Sequence, residues 1–492
     1  MSNLSELLPT GGGQNAVDFV ASGTLSSGQT VVLNSDGTVE AVAESVIPQS
    51  ASSATTIISG VYNPQRLYYD EVHNCFFYIY KDSANSYYLS AKVGTLNGTT
   101  ISWGTTIVLV SGITTPDDAY SGCMDLNAEM FVIHYQAGTN NQSYARIIYN
   151  IDSSAKTFSL TNAQSISANT INSNSPWVVY HKEQQRIVFG YNRSNVGYAK
   201  SALIDVSGPS WAVVGSETGY SGGATMVWPT ANYDEASETI VVCGEGSGLK
   251  VVAGSVNGNS LSFGSVVTVS GNPHSQTISY DSVSAKSVIC YVNQNNSNYG
   301  TAVVVSISGT TVSLSPLVVF QSSSVSTNVD SMTSVYSAIS QTIVAFNTPN
   351  DGSAVKAHNG TVTGSSISFG SAFSMVNQSS DRFVESAYST ADGKIAFVDT
   401  NFTGSFNTIY QVYQASYTAT NSADFIGITA GAISDTATGA VNVYGGINEA
   451  QTGLTIGSDY YVQADGSIST TASAVKIGQA ISATTINMMD LT

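Results

Sequence analysis

The chain has 492 residues and a formal charge of -18, from 15 Lys plus Arg against 33 Asp plus Glu. So acidic a surface excludes nucleic acid and anionic membrane as partners, because both demand a basic footprint. Charged residues make up only 10% and hydrophobic residues 42%, with 27 Tyr, which excludes a disordered chain and points to a β-rich protein with an uncharged polar exterior.

Residues 1–14 read as a tail or docking peptide, in which Leu4, Leu7 and Leu8 allow one amphipathic turn ended by Pro9. This end has no basic n-region and no long apolar core, so a secretory signal is not expected, and no run reaches the ~20 apolar residues of a membrane span. Residues 15–42 form the first part of a terminal β module. Thr30-Val31-Val32-Leu33 passes through Asn34-Ser35-Asp36-Gly37 into Thr38-Val39, and Asp-Gly between alternating runs signals a hairpin.

Residues 43–420 carry an internal repeat. Gly98-Thr99-Thr100-Ile101-Ser102-Trp103-Gly104 returns as Gly258-Asn259-Ser260-Leu261-Ser262-Phe263-Gly264 and as Gly364-Ser365-Ser366-Ile367-Ser368-Phe369-Gly370, with a looser copy from Gly309 to Ser315. Gly with small polar residues suits a tight turn, and the following residues resume a period of two. A second register agrees: an apolar strand begins at 75, 130, 187, 240, 288, 343 and 395. Each copy holds four short strands at a period near the ~40–50 residues of a propeller blade. The expected fold is therefore all-β, a seven-bladed β-propeller inserted into a small β-barrel or sandwich module built from both termini. The last copy lacks a fourth strand, and the strand at 55–60 is expected to supply it, because an open ring would leave two sheet edges unpaired.

Residues 421–492 complete the terminal module. Gly457 stands eight residues before Asp465 of an Asp-Gly turn, as Gly28 stands before Asp36.

Chemistry-bearing constellations are sparse. His73, His134, His181, His274 and His358 fall in different copies without metal-ligand spacing, so no metal or other cofactor is expected. Cys75, Cys243 and Cys290 sit in apolar strand runs and, with Cys123, read as free thiols. Tyr69-Asp70, Tyr233-Asp234 and Tyr280-Asp281 repeat at one phase. Glycoside hydrolysis needs two carboxylates in one cleft, but an Asp at a repeated position more simply caps the next turn. Tyr180-His181 and Tyr388-Ser389 depart from the pattern, and the sialidase repeat signature Ser-x-Asp-x-Gly-x-Thr-Trp is missing, so no catalytic residue is expected and the chain reads as something other than an enzyme. The loops between second and third strands are rich in Asn, Ser, Gly and Tyr, the composition of adaptable recognition loops. Asn85, Tyr87, Asn140, Tyr144, Asn195, Tyr198, Asn296 and Tyr299 are the candidate recognition residues.

The stretch from Leu8 to Gly23, the repeated Ser-Phe-Gly-Ser turns and the segment from Gly453 to Leu491 resemble a group of poorly characterised virion proteins of tailed bacteriophages, marine ones especially. The resemblance covers nearly the whole layout. It implies a particle component, tail-fibre-like or structural, with no catalytic residues. The expected role is a virion protein at the tail or fibre that displays the propeller for host-surface recognition. A capsid decoration protein and a glycan-degrading enzyme are the alternatives. Its partners would be other virion proteins through the terminal module and a glycan or protein of the host surface, and a homo-oligomer is compatible with it.

Overall fold

The computed structural model describes residues 15–60, 65–111, 119–138, 140–172, 176–327, 330–375, 381–401 and 407–488. The expected docking peptide at 1–14 lies outside them. Among the described residues regular structure is strand, apart from single 3-10 turns at Ser83–Asn85, Gln294–Asn296 and Ser422–Asp424. None of their helices is long and apolar enough to cross a membrane.

The larger of two compact units, Gln49–Ala415, contains seven antiparallel sheets in sequence order among its described residues. Each sheet begins with a strand of the inner ring: Arg66–Asp70, Tyr120–Asp125, Trp177–His181, Val227–Asp234, Pro273–Asp281, Met332–Ser337 and Asp381–Ser389. Each inner strand touches the next, and the seventh touches the first. The fold is a closed β-propeller.

Its stability lies between the sheets. One buried cluster joins each consecutive pair. The cluster of Phe77, Ile79 and Leu89 with Phe131, Ile133 and Ile148 joins the first sheet to the second. The ring closes where Phe76, Tyr78 and Tyr80 of the first sheet pack on Ala396, Val398 and Val412 of the seventh. Period-two alternation would bury only one face of a strand, yet Cys75–Asp82 is buried at every position. A blade interior presents both faces to neighbouring blades, so the second strand reads as a continuous apolar run.

The repeated turn motif has a specific geometry. Gly98, Gly258, Gly309 and Gly364 adopt φ of 63°, 55°, 59° and 61°, the left-handed region that Gly enters without steric cost. The motif's aromatic then lies opposite a glycine of the third strand: Trp103 opposite Gly94, Phe263 opposite Gly254, Phe369 opposite Gly360. A Cβ on Gly254 would stand 2.3 Å from the Phe263 ring. The aromatic thus packs against bare backbone. In each sheet the outermost strand is broken into two segments, both paired with the third strand, as in Thr100–Trp103 and Ile107–Val110.

In the seventh sheet these segments come from before the first. Thr55–Ile58 pairs with Asn407–Gln414, and so does Ser50–Ala51, which the sequence reading did not pick out.

The smaller unit is bounded at Pro48 and Ser416, not at 42 and 421 as expected. The reason is a two-stranded ladder, Glu44–Ile47 with Tyr417–Thr420, which ties both segments to it. One five-stranded sheet interleaves the two ends of the chain in the order Ala16–Val20, Thr438–Val443, Phe425–Thr429, Thr30–Leu33, Val39–Ala41. A second five-stranded sheet is built from residues 447–488. Val32, Phe425 and Ile428 of the first pack on Tyr460, Val462, Ile477 and Ile486 of the second, which makes a sandwich. The two Asp-Gly turns match: Asp36 Oδ1 accepts from Thr38 N at 3.0 Å, and Asp465 Oδ1 from Ser467 N at 2.9 Å.

Candidate functional site

The inner strands start at one mouth of the propeller channel. There a cavity of about 250 Å³ is lined by residues from all seven of them or the residues just before, including Arg66, Tyr120, Trp177, Trp228, His274, Asp330 and Glu385.

Three irregularities of backbone shape this mouth. The ladder of the fourth inner strand shifts register between Val227 and Thr230, that of the fifth between His274 and Thr277, and that of the seventh between Asp381 and Val384. Such bulges re-aim side chains and gather beside functional sites. Trp228, Ser275 and Asp330 hold positive φ of 44°, 49° and 55°, uncommon for residues with a Cβ. Strain of this kind costs of order 1–3 kcal/mol per residue and persists only where surroundings enforce it. Gln276 Nε2 donates to the Trp228 carbonyl oxygen, which links two of the bulges.

The charged groups are interlocked. Arg66 Nη1 donates to Asp330 Oδ2 at 2.9 Å and to Glu385 Oε1 at 2.9 Å, and its guanidinium lies 5.9 Å from the Tyr120 ring centroid. Burial pushes the Glu385 carboxyl up to about 8; Arg66 pulls it down and Asp330 raises it further. About a fifth of the Glu385 side chain, 20%, still faces solvent. His274 Nδ1 lies 3.0 Å from Glu245 Oε1. That hydrogen bond holds the imidazole above its usual value, while burial raises Glu245. Tyr68 Oη accepts from Gly122 N at 2.9 Å, and burial pushes its hydroxyl up to about 12. Trp228 is 38% exposed, and its ring lies 5.7 Å from the His274 ring.

The loop residues singled out in the sequence lie elsewhere on the same side. Asp82 pairs with Tyr88 beyond the rung that carries Arg66, and Asn293 with Tyr299 at the rung that carries Pro273, so these hairpins end at the channel mouth's side of the disc. Asn85 sits in the 3-10 turn and Tyr87, 44% exposed, follows it. Asn140 Nδ2 donates to Tyr144 Oη at 2.9 Å, and Tyr144 stacks on Tyr135. Asn195 Oδ1 accepts from Asn172 Nδ2 at 2.6 Å, and the Arg193 guanidinium lies 4.1 Å above the Tyr198 ring. Asn296 is exposed and Tyr299 half-buried in the fifth sheet. They occupy four different blades, so the fold does not gather them into one cluster.

The repeated aspartates are caps. Asp70 Oδ1 accepts from Val72 N at 3.0 Å and His73 N at 3.1 Å, and Asp125 and Asp281 do the same for their own turns. Where the Asp is replaced, His181 Nδ1 accepts from Gln184 N at 3.3 Å and Ser389 Oγ from Asp392 N at 3.2 Å. The four cysteines are free. Among the described residues no group of three or more His, Cys, Asp or Glu is gathered as metal ligands would be.

Sequence reasoning missed the mouth residues. A signal was present: Arg66, Asp330 and Glu385 are charges in a chain with few of them, and each falls in or just before a first strand. Trp228-Pro229 likewise interrupts an otherwise alternating run.

Fold and site define an all-β propeller with a polar, aromatic-edged channel mouth. No family model and no curated protein matches the chain. Solved structures similar to it include the NanB sialidase of Streptococcus pneumoniae, in a mutant form at 10% identity and a TM-score of 0.43, covering 74% of this chain and 69% of that one. A ligand complex of the same sialidase matches at 9% identity and a TM-score of 0.44, covering 74% and 70%. A Lactobacillus plantarum protein matches at 12% identity and a TM-score of 0.45, covering 74% of this chain and 98% of that one. The expectation that the chain is not an enzyme is corrected by this finding, because structures of an enzyme are among those it resembles. At 9–10% identity the likeness concerns fold and supplies no reaction.

Proposed function

We propose that the chain is a virion protein of a tailed bacteriophage, associated with the tail or its fibres, which displays its propeller for recognition of a host surface. The terminal sandwich is the mount and contacts other virion proteins. The observation that carries this reading is the channel mouth: one exposed indole and a ring of interlocked polar groups, on the side where the Asn- and Tyr-rich hairpins also end. Concave sites with few placed polar groups and aromatic lining are the common form of ligand sites. The resemblance of both chain ends to phage virion proteins supplies the particle context.

Immunogold labelling of intact particles with an antibody against the propeller tests the reading. Label at the tail or its fibres is the expected result. Label spread over the head turns the account to capsid decoration, and particles without label remove the virion assignment.

A second reading, glycan hydrolysis, is favoured by one observation. Asp330 and Glu385 meet at a single Arg66 nitrogen, and Glu385 is held protonated at neutral pH by burial, as a general acid is. Release of a chromophore from aryl glycosides, abolished in Glu385→Gln, would establish it. A panel of aryl glycosides left intact would end it.

A further inference from the structure

The cavity allows a narrower statement about the ligand, resting on the recognition reading above. We infer that the channel mouth binds a single uncharged sugar ring, stacked on Trp228, as the terminal residue of a glycan.

Size sets the first limit. At about 250 Å³ the cavity falls below the ~300–1,000 Å³ of pockets that enclose drug-sized ligands, so it takes one ring and not a chain of them. Shape sets the second. Trp228 is lifted out of the ladder by a bulge, at a φ of 44°, with its carbonyl held by Gln276 and His274 behind it. The bulge leaves a partly exposed aromatic residue in the cavity lining. The negative face of an indole attracts the C–H face of a pyranose, while the sugar hydroxyls reach the polar groups around it.

Charge sets the third. Arg66 is engaged by Asp330 and Glu385, and His274 by Glu245. Among the described lining residues, three carboxyl groups therefore face one guanidinium and one imidazole. A carboxylated sugar would find Arg66 and His274 already bridged by Asp330 and Glu245, whose charges repel its own in a partly desolvated site. An uncharged ring avoids that cost, and its hydroxyls can donate to the carboxylates and accept from the Glu385 proton.

Saturation-transfer NMR on the full-length protein tests this. The probes are the methyl glycosides of glucose, galactose, mannose and N-acetylglucosamine, with glucuronate as the charged counterpart. Transfer to the ring C–H protons of at least one neutral probe is expected. Its affinity should fall about tenfold in Trp228→Ala, the size of a lost aromatic stacking contact. Thr230→Phe, which fills the cavity from the same strand, should weaken binding equally and decides the matter if Trp228→Ala does not fold. Val283→Ala, exposed in the turn after the fifth inner strand and outside the cavity lining, should leave it unchanged. The inference is overturned by transfer to none of the neutral probes, by transfer to glucuronate alone, or by full binding in Thr230→Phe. These results need no particle, so sugar binding by a protein absent from particles would refute the virion role and leave the site standing. Particle label without sugar binding would do the reverse.

Discussion

His358 is 2% exposed, and neither of its ring nitrogens has a hydrogen-bond partner. Burial, helped by Lys356, lowers its pKa from 6.5 to about 4. The unfolded chain therefore takes up this proton near pH 6.5 and the native chain only near pH 4. Between them the unfolded state binds more protons, so stability is intact above about pH 6.5 and is lost as the pH falls toward 4. The full effect is about 3 kcal/mol by the linkage between pKa and free energy. His358→Phe, placed beside Phe320, should keep or raise stability at pH 7 and flatten this acid limb in urea unfolding at pH 7, 5 and 4.5. His134, also held near 4 by burial, accounts for part of the slope that remains. Glu385 acts in the opposite sense. Its carboxyl is raised to about 8, so the native state holds more protons above pH 4.5, and stability declines as pH climbs toward 8. Glu385→Gln keeps the neutral form and leaves Arg66 paired with Asp330. It should remove that decline, measured as the change in thermal midpoint between pH 6 and 8.5, and an unchanged decline would assign it to another group.

Among elements, the hairpin motif shows what a sequence can and cannot reveal. Its glycines, its alternation and its repetition were legible, because turn chemistry and period two are local properties. The partner of its aromatic was not, since Gly94, Gly254 and Gly360 lie on the preceding strand and look like ordinary strand glycines. Gly254→Ala should cost about 1–3 kcal/mol by overpacking against Phe263, and Phe263→Leu in the same chain should recover part of it. Additive losses in the double variant would deny the contact this role. The mouth was hidden for a related reason. Arg66, Asp330 and Glu385 are separated by 264 and 319 residues from first to second and first to third, and only the ring brings them within 2.9 Å. The loop tyrosines were conspicuous by composition, yet Tyr144 and Tyr198 are engaged with their own blades.

At the scale of the whole molecule, closure was legible because a ring with an open edge is unfavourable, and the seventh sheet had a missing strand. A chain of residues 49–415 retains both closing segments, so it should unfold in a single cooperative transition and remain monodisperse in light scattering. A chain starting at 61 lacks them and exposes the edge of Asn407–Gln414, and it should associate at the same concentration. Equal behaviour of the two would show that closure does not depend on the borrowed strand. The terminal sandwich, by contrast, interleaves both chain ends in one sheet, so neither end can form it alone. That arrangement makes the propeller an insertion between the two halves of the sandwich. The most direct measurement of its role is adsorption of phage particles to host cells after incubation with a monovalent antibody fragment against the propeller. The account predicts that adsorption slows as the fragment binds. Unchanged adsorption with the fragment bound on the particles would contradict it.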